Sequence, residues 1–164
     1  TGDMFRAAIA RGTELGQQVE PILASGELVP DDLTVALIRE RLAAPDAGAG
    51  FVLDGFPRNL AQAEALDEMP ADIARTLDAV LFFDLSDELA LARIRGRALD
   101  EGRDDDTPDA IARRLALYPD QTKPVVARDR ATGKLVPLHA DRSIEEVSPE
   151  IAEALDLLEE WAAA

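Results

Sequence analysis

Short apolar runs separated by long amphipathic stretches restrict this chain to a small set of architectures. Gly50 to Leu53, Ala79 to Phe83 and Leu135 to Leu138 are continuous apolar runs of strand length, the pattern of strands buried in a parallel sheet. Around them, Asp3 to Ala10, Glu14 to Ala24, Asp31 to Leu42, Leu60 to Glu68, Asp87 to Arg97, Pro108 to Tyr118 and Val147 to Trp161 read as helices. Helices between strands favour parallel pairing, because a parallel crossover is long enough to hold one. The expected fold class is α/β, a parallel sheet with helices on both faces. A length of 164 residues suits one domain over 1–164 with a continuous core.

Local signals refine the helices. Thr107 before Pro108 is a helix start, a hydroxyl cap followed by the residue best suited to the first turn. The last helix is expected to present Val147, Ile151, Leu155 and Leu158 on one face, with Pro149 in its first turn. Pro119 directly after Tyr118 predicts a kink or a restart, since proline removes one helical hydrogen bond and crowds the preceding turn.

Composition narrows the chemistry. With no Cys, disulfides and thiolate metal sites are excluded, zinc among them, and the single His139 rules against a histidine metal cluster or a Ser-His triad. The formal net charge of -16 opposes nonspecific binding to nucleic acid or anionic lipid, which draws on a basic face. No run approaches the ~20 apolar residues of a membrane helix, so a cytoplasmic location is expected. Catalysis is left to carboxylates, arginines and a borrowed metal ion.

The densest motif is Asp54-Gly55-Phe56-Pro57-Arg58-Asn59, at the end of the run Gly50 to Leu53 and followed by Gln62. A carboxylate at a strand end, a glycine that admits close backbone approach, a proline that fixes the turn and an arginine that forks onto phosphate are parts of a nucleotide site. In this order they resemble the monophosphate-binding signature of the adenylate kinase family. The resemblance extends through Thr1-Gly2-Asp3-Met4-Phe5-Arg6, Gly12 to Gly16, Gly26 to Asp31, Arg93 to Arg97, Asp105-Asp106-Thr107, Arg114-Leu115 and Tyr118 to Pro124. One GFPR would be weak evidence; seven ordered segments are strong.

The resemblance implies a P-loop NTPase-like three-layer fold and transfer of the terminal phosphoryl group of ATP to AMP, giving two ADP, with Mg²⁺. It implies a monomer that binds ATP, AMP and ADP, with an AMP-binding helical segment at about 1–30 and a short lid at about 97–107. The AMP pocket maps to Thr1, Arg6, Glu27, Leu28, Val29, Gly55, Phe56, Pro57, Arg58 and Gln62, joined by Arg103 and Arg114. Arg58, Arg97, Arg103 and Arg114 map to the arginines around the transferring phosphoryl group, and Arg93, Arg97 and Arg142 to ATP contacts. Asp54 maps to the carboxylate that holds the metal through water. On chemistry alone, Gln62 has a donor and an acceptor for a base edge but reads better as a solvated helix amide, the resemblance reversing that order, and Arg93 reads equally as half of a surface ion pair.

The family's glycine-rich phosphate loop, with its lysine, its strand and its first helix, has no counterpart in these residues. The chain opens on Thr1 rather than Met and is expected to begin mid-protein, with an incomplete sheet and no phosphoryl transfer by this stretch alone. Gly50 to Leu53 and Ala79 to Phe83 are then expected to be parallel but not paired to each other. Two other readings stay open. Asn59 after the arginine resembles pyrimidine (UMP/CMP) monophosphate kinases, although Thr1 and Gln62 oppose that, and a non-catalytic AMP-binding remnant would dispense with the loop.

Overall fold

The computed structural model describes residues 1–69, 77–101 and 107–163. By contacts the chain forms two compact units, Thr1–Thr76 with Ile94–Val125, and Leu77–Arg93 with Val126–Ala164.

The first unit is helical. Helix α1 (Gly2–Ala10) packs on α2 (Glu14–Ser25). One hydroxyl joins them: Thr13 Oγ1 accepts the Gly16 N–H at 3.1 Å as the α2 cap and donates to the Ala8 carbonyl at 3.1 Å. Gly16 permits the close crossing, since a Cβ there would stand 2.3 Å from the Ala8 oxygen. Phe5, Val19 and Val29 form a buried cluster covered by Ile9, Leu15, Ile22 and Leu37.

Helix α3 (Asp31–Leu42) carries Asp31 and Asp32 in its first turn and Arg39 and Arg41 in its last, the placement the helix dipole favours. It packs on α4 (Leu60–Asp67). A short 3₁₀ segment, Pro45–Ala49, follows α3, and Arg41 forks onto the Asp46 carboxylate at 3.0 and 2.7 Å. The expected strand at Gly50 to Leu53 is not formed, and Val52 is 94% exposed. An apolar run becomes a strand only when a neighbour satisfies its N–H and C=O groups, and among the described residues none pairs with it.

Helix α5 (Asp87–Glu101) runs from the second unit into the first, and α6 (Pro108–Leu117) starts as expected, with the Ala110 N–H donating to Thr107 Oγ1 at 3.2 Å. The Pro119 break takes the form of one π-helical turn, Tyr118–Thr122, after which the chain restarts as α7 (Lys123–Ala131), a helix the periodicity did not indicate.

The second unit holds the sheet. Strands β1 (Val80–Asp84) and β2 (Leu135–His139) are parallel, with Val80 opposite Leu135 and Asp84 opposite His139. Both lie within one residue of the expected positions, and β1 does not pair with residues 50–53. The expected full burial does not hold for β1, where Phe83 is 46% exposed; among the described residues the sheet has two strands, each with an open edge. Pro137, lacking an N–H, is tolerated on such an edge.

Helix α8 (Ile144–Ala163) packs on β2. It starts three residues before the expected Val147 because Ser143 and Glu146 form a reciprocal cap: the Glu146 N–H donates to Ser143 Oγ at 3.3 Å, the Ser143 N–H to Glu146 Oε2 at 3.0 Å. Pro149 therefore lies past the first turn. The inward stripe is Val147, Ile151, Ala154 and Leu158, while Leu155, expected on it, is 47% exposed. Among the described residues no helix is long and apolar enough to cross a membrane.

Candidate functional site

The densest sequence motif folds into a braced turn. Gly55 takes φ +74, the left-handed region glycine enters without strain, Phe56 is buried and the Phe56–Pro57 bond is cis. Three bonds then fix Arg58. Its Nε donates to the Gly55 carbonyl at 3.0 Å, its N–H to Gln62 Oε1 at 2.8 Å, and its carbonyl accepts the Thr122 hydroxyl at 2.9 Å. With Nε held by its own turn, the fork's two Nη groups keep donors that no hydrogen bond among the described residues takes up.

Charges converge on this point. The Arg58 guanidinium is pulled below its ordinary value first by burial, then by Arg114, with Arg6 and Arg97 acting the same way and Asp54 opposing. Arg6 is on α1, Arg97 on α5 and Arg114 on α6, so three helices and one turn deliver four cations to one place in an acidic protein. Like charges brought together and partly dehydrated repel, and an anion with several oxygens reverses the sign. Arg6 also bonds the exposed Asp3 carboxylate.

Thr1 sits beside the turn, its nitrogen 2.8 Å and its hydroxyl 3.1 Å from the Asp54 carbonyl oxygen. The Asp54 side chain is exposed. A cleft of about 350 Å³ opens next to both, lined also by Met4, Ile38, Phe51 and Leu53. Val29 is in the core, Leu28 is half-buried, and Glu27 is exposed with an ion pair to Arg113 on α6 at 2.8 Å.

Gln62 is no solvated helix amide. It is 2% exposed, and its two ends are engaged: Oε1 accepts the Arg58 N–H, and Nε2 donates to Asp31 Oδ1 at 2.8 Å. Asn59 caps α4, its Oδ1 accepting the Gln62 N–H at 2.9 Å while its Nδ2 donates to the same Asp31 oxygen at 2.9 Å. These bonds account for an asparagine after the arginine without reference to a pyrimidine.

The second unit contains the other two expected ATP contacts. Arg93 donates to the Arg142 carbonyl at 2.7 Å, so among the described residues it is held by backbone, where a surface ion pair was an equal reading of the sequence. Arg142 donates from Nε to the His139 carbonyl at 3.1 Å and bonds Glu150, whose other oxygen lies 3.0 Å from His139 Nδ1. Arg103 lies outside the described residues, together with the rest of 102–106 in the expected lid at 97–107. Among the described residues no three potential ligands cluster for a metal ion.

Sequence reading missed Asp31 and Thr122, which hold the site without being part of the motif. Asp31 follows a proline at a helix start, where an acidic residue needs no further explanation, and Thr122 is 64 residues from the carbonyl it bonds. A family model described as adenylate kinase matches residues 1–134. The chain is 48% identical over 160 residues to an adenylate kinase of Parvibaculum lavamentivorans, covering 96% of this chain and 78% of that protein. It is 46% identical to one of Stenotrophomonas maltophilia (94% of this chain, 83% of that protein) and 47% to one of Thermobifida fusca (94% and 82%).

Proposed function

The chain belongs to the adenylate kinase family, and from that premise we propose which of its residues carry the transfer of a phosphoryl group from ATP to AMP, giving two ADP. The observation that carries the assignment is the convergence of Arg6, Arg97 and Arg114 on the braced Arg58. Phosphoryl transfer asks the protein for positioning and neutralisation of spread negative charge rather than covalent work, and a guanidinium cluster supplies both.

Arg58 and Arg6 take the monophosphate of AMP, and Arg97, Arg103 and Arg114 take the transferring group, with residues 97–107 as the lid. Thr1, Glu27 to Val29 and Gly55 to Pro57 wall the AMP pocket within the segment at about 1–30 and the turn. Gln62 faces the base. Arg93, Arg97 and Arg142 bind ATP. The exposed Asp54 carboxylate, a hard oxygen donor beside the cationic cluster, fits Mg²⁺, which keeps most of its waters and bridges to protein through one or two carboxylates. Asp54 would hold the ion through water, and the ion would neutralise phosphate charge. The protein acts as a cytoplasmic monomer with no nucleic acid or membrane partner.

The test is phosphorus NMR of the protein at its encoded length with Mg²⁺, ATP and AMP, alongside CMP and UMP. ADP should form from AMP far faster than from either pyrimidine nucleotide, as expected when an unmatched base leaves buried polar groups unpaired. Equal use of CMP would favour a pyrimidine kinase, and AMP binding without turnover would favour a binding remnant.

A further inference from the structure

We propose that Asp31 is a positioning residue that sets base specificity by locking the Gln62 amide in one orientation, so that the site accepts a 6-amino purine and rejects a 6-oxo purine. The inference rests on the reading that Gln62 faces the base.

The amide has two possible orientations related by a half-turn, and its neighbours permit one. The Arg58 N–H, 2.8 Å away, only donates, so the amide oxygen must face it. The Asp31 carboxylate oxygen, 2.8 Å from the other end, only accepts, so the amide nitrogen must face it. A flipped amide would set donor against donor and acceptor against acceptor in a buried place, and both groups would go unsatisfied. Asn59 Nδ2 donates to the same Asp31 oxygen and holds the carboxylate in place. After these bonds the amide retains one N–H and one oxygen lone pair, in a fixed order.

Adenine presents a donor at N6 beside a ring acceptor, and a glutamine amide reads that pair with both ends. Hypoxanthine presents an acceptor at O6 and therefore needs the reversed amide. The order of donor and acceptor on Gln62 separates the two, and Asp31 sets the order. Asn in place of Asp31 would offer either a donor or an acceptor to the amide and remove half of the lock.

The experiment measures AMP and IMP binding by calorimetry on the protein at its encoded length, unsubstituted and as Asp31→Asn, Asp31→Ser and Gln62→Ala. The ratio of the two Kd values is the readout, because a merely structural role weakens both nucleotides alike and leaves the ratio unchanged. Asp31→Asn should lower the AMP preference by about tenfold, chiefly through tighter IMP binding. Asp31→Ser should lower it at least as far, which covers the case in which the Asn variant does not fold. Gln62→Ala should abolish most of the preference. If Gln62→Ala leaves the ratio intact, Gln62 does not face the base. If that variant lowers the ratio while Asp31→Asn and Asp31→Ser do not, the base reading stands and the role of Asp31 is refuted.

Discussion

Replacing Arg58 with alanine should separate function from stability, because the two effects have opposite structural origins. On the proposed reading the Nη groups carry the phosphate contact, since Nε is bonded to the Gly55 carbonyl. Losing charge-assisted bonds of this kind costs about 2–4 kcal/mol of transition-state stabilisation, roughly 30- to 1000-fold in rate. The ligand-free fold is expected to move little. It loses the Nε bond to Gly55, worth about 1 kcal/mol net, and is relieved of a crowded cation. The sign follows from the shift: a basic group whose value is lowered on folding is less comfortable charged in the fold than in the unfolded chain, so its removal is stabilising. The assay is thermal unfolding with and without AMP at 100 times the Kd of the unsubstituted protein, where binding contributes about 2.7 kcal/mol. A variant binding 100-fold more weakly would retain only about 0.4 kcal/mol of that gain. An AMP-induced rise in Tm equal to that of the unsubstituted protein would refute the placement of the monophosphate at Arg58.

Gly16→Ala tests the packing beneath the site. Alanine gains about 1 kcal/mol in helix propensity, but its Cβ would stand 2.3 Å from the Ala8 oxygen, and forcing α1 and α2 apart costs more, so a net loss of about 1–2 kcal/mol is expected in denaturant unfolding. A neutral or stabilising result would mean that the helices cross less tightly. Asp46 tests the electrostatics: its bonds to Arg41 hold its carboxyl below the ordinary 3.8, so their small contribution is complete above that value and fades as pH falls through the lower folded one. A carboxyl NMR titration should give a midpoint below 3.8 that returns toward it in Arg41→Gln, and an unchanged midpoint would remove the pair from consideration.

Elements whose causes lie within a few residues were legible in the sequence. The apolar spacing from Asp31 to Leu42 gives α3 to the residue, Thr107 with Pro108 gives the start of α6, and Pro119 gives the interruption that becomes a π turn. Caps, prolines and periodicity act on neighbouring backbone, so neighbouring residues encode them. The Ser143–Glu146 cap was equally local and was overlooked. Arg6, Arg97 and Arg114 stood out in the sequence only through the family resemblance, and their proximity to Arg58 was not legible there. What only the tertiary structure decided depends on partners far along the chain. Gly50 to Leu53 is apolar enough for a strand but has no ladder partner among the described residues, and apolarity alone does not satisfy a backbone. Gln62 could be solvated or buried until Asp31, 31 residues away, accepts its N–H. A hydrogen bond has a direction that a residue type does not specify, so the orientation of that amide belongs to the fold.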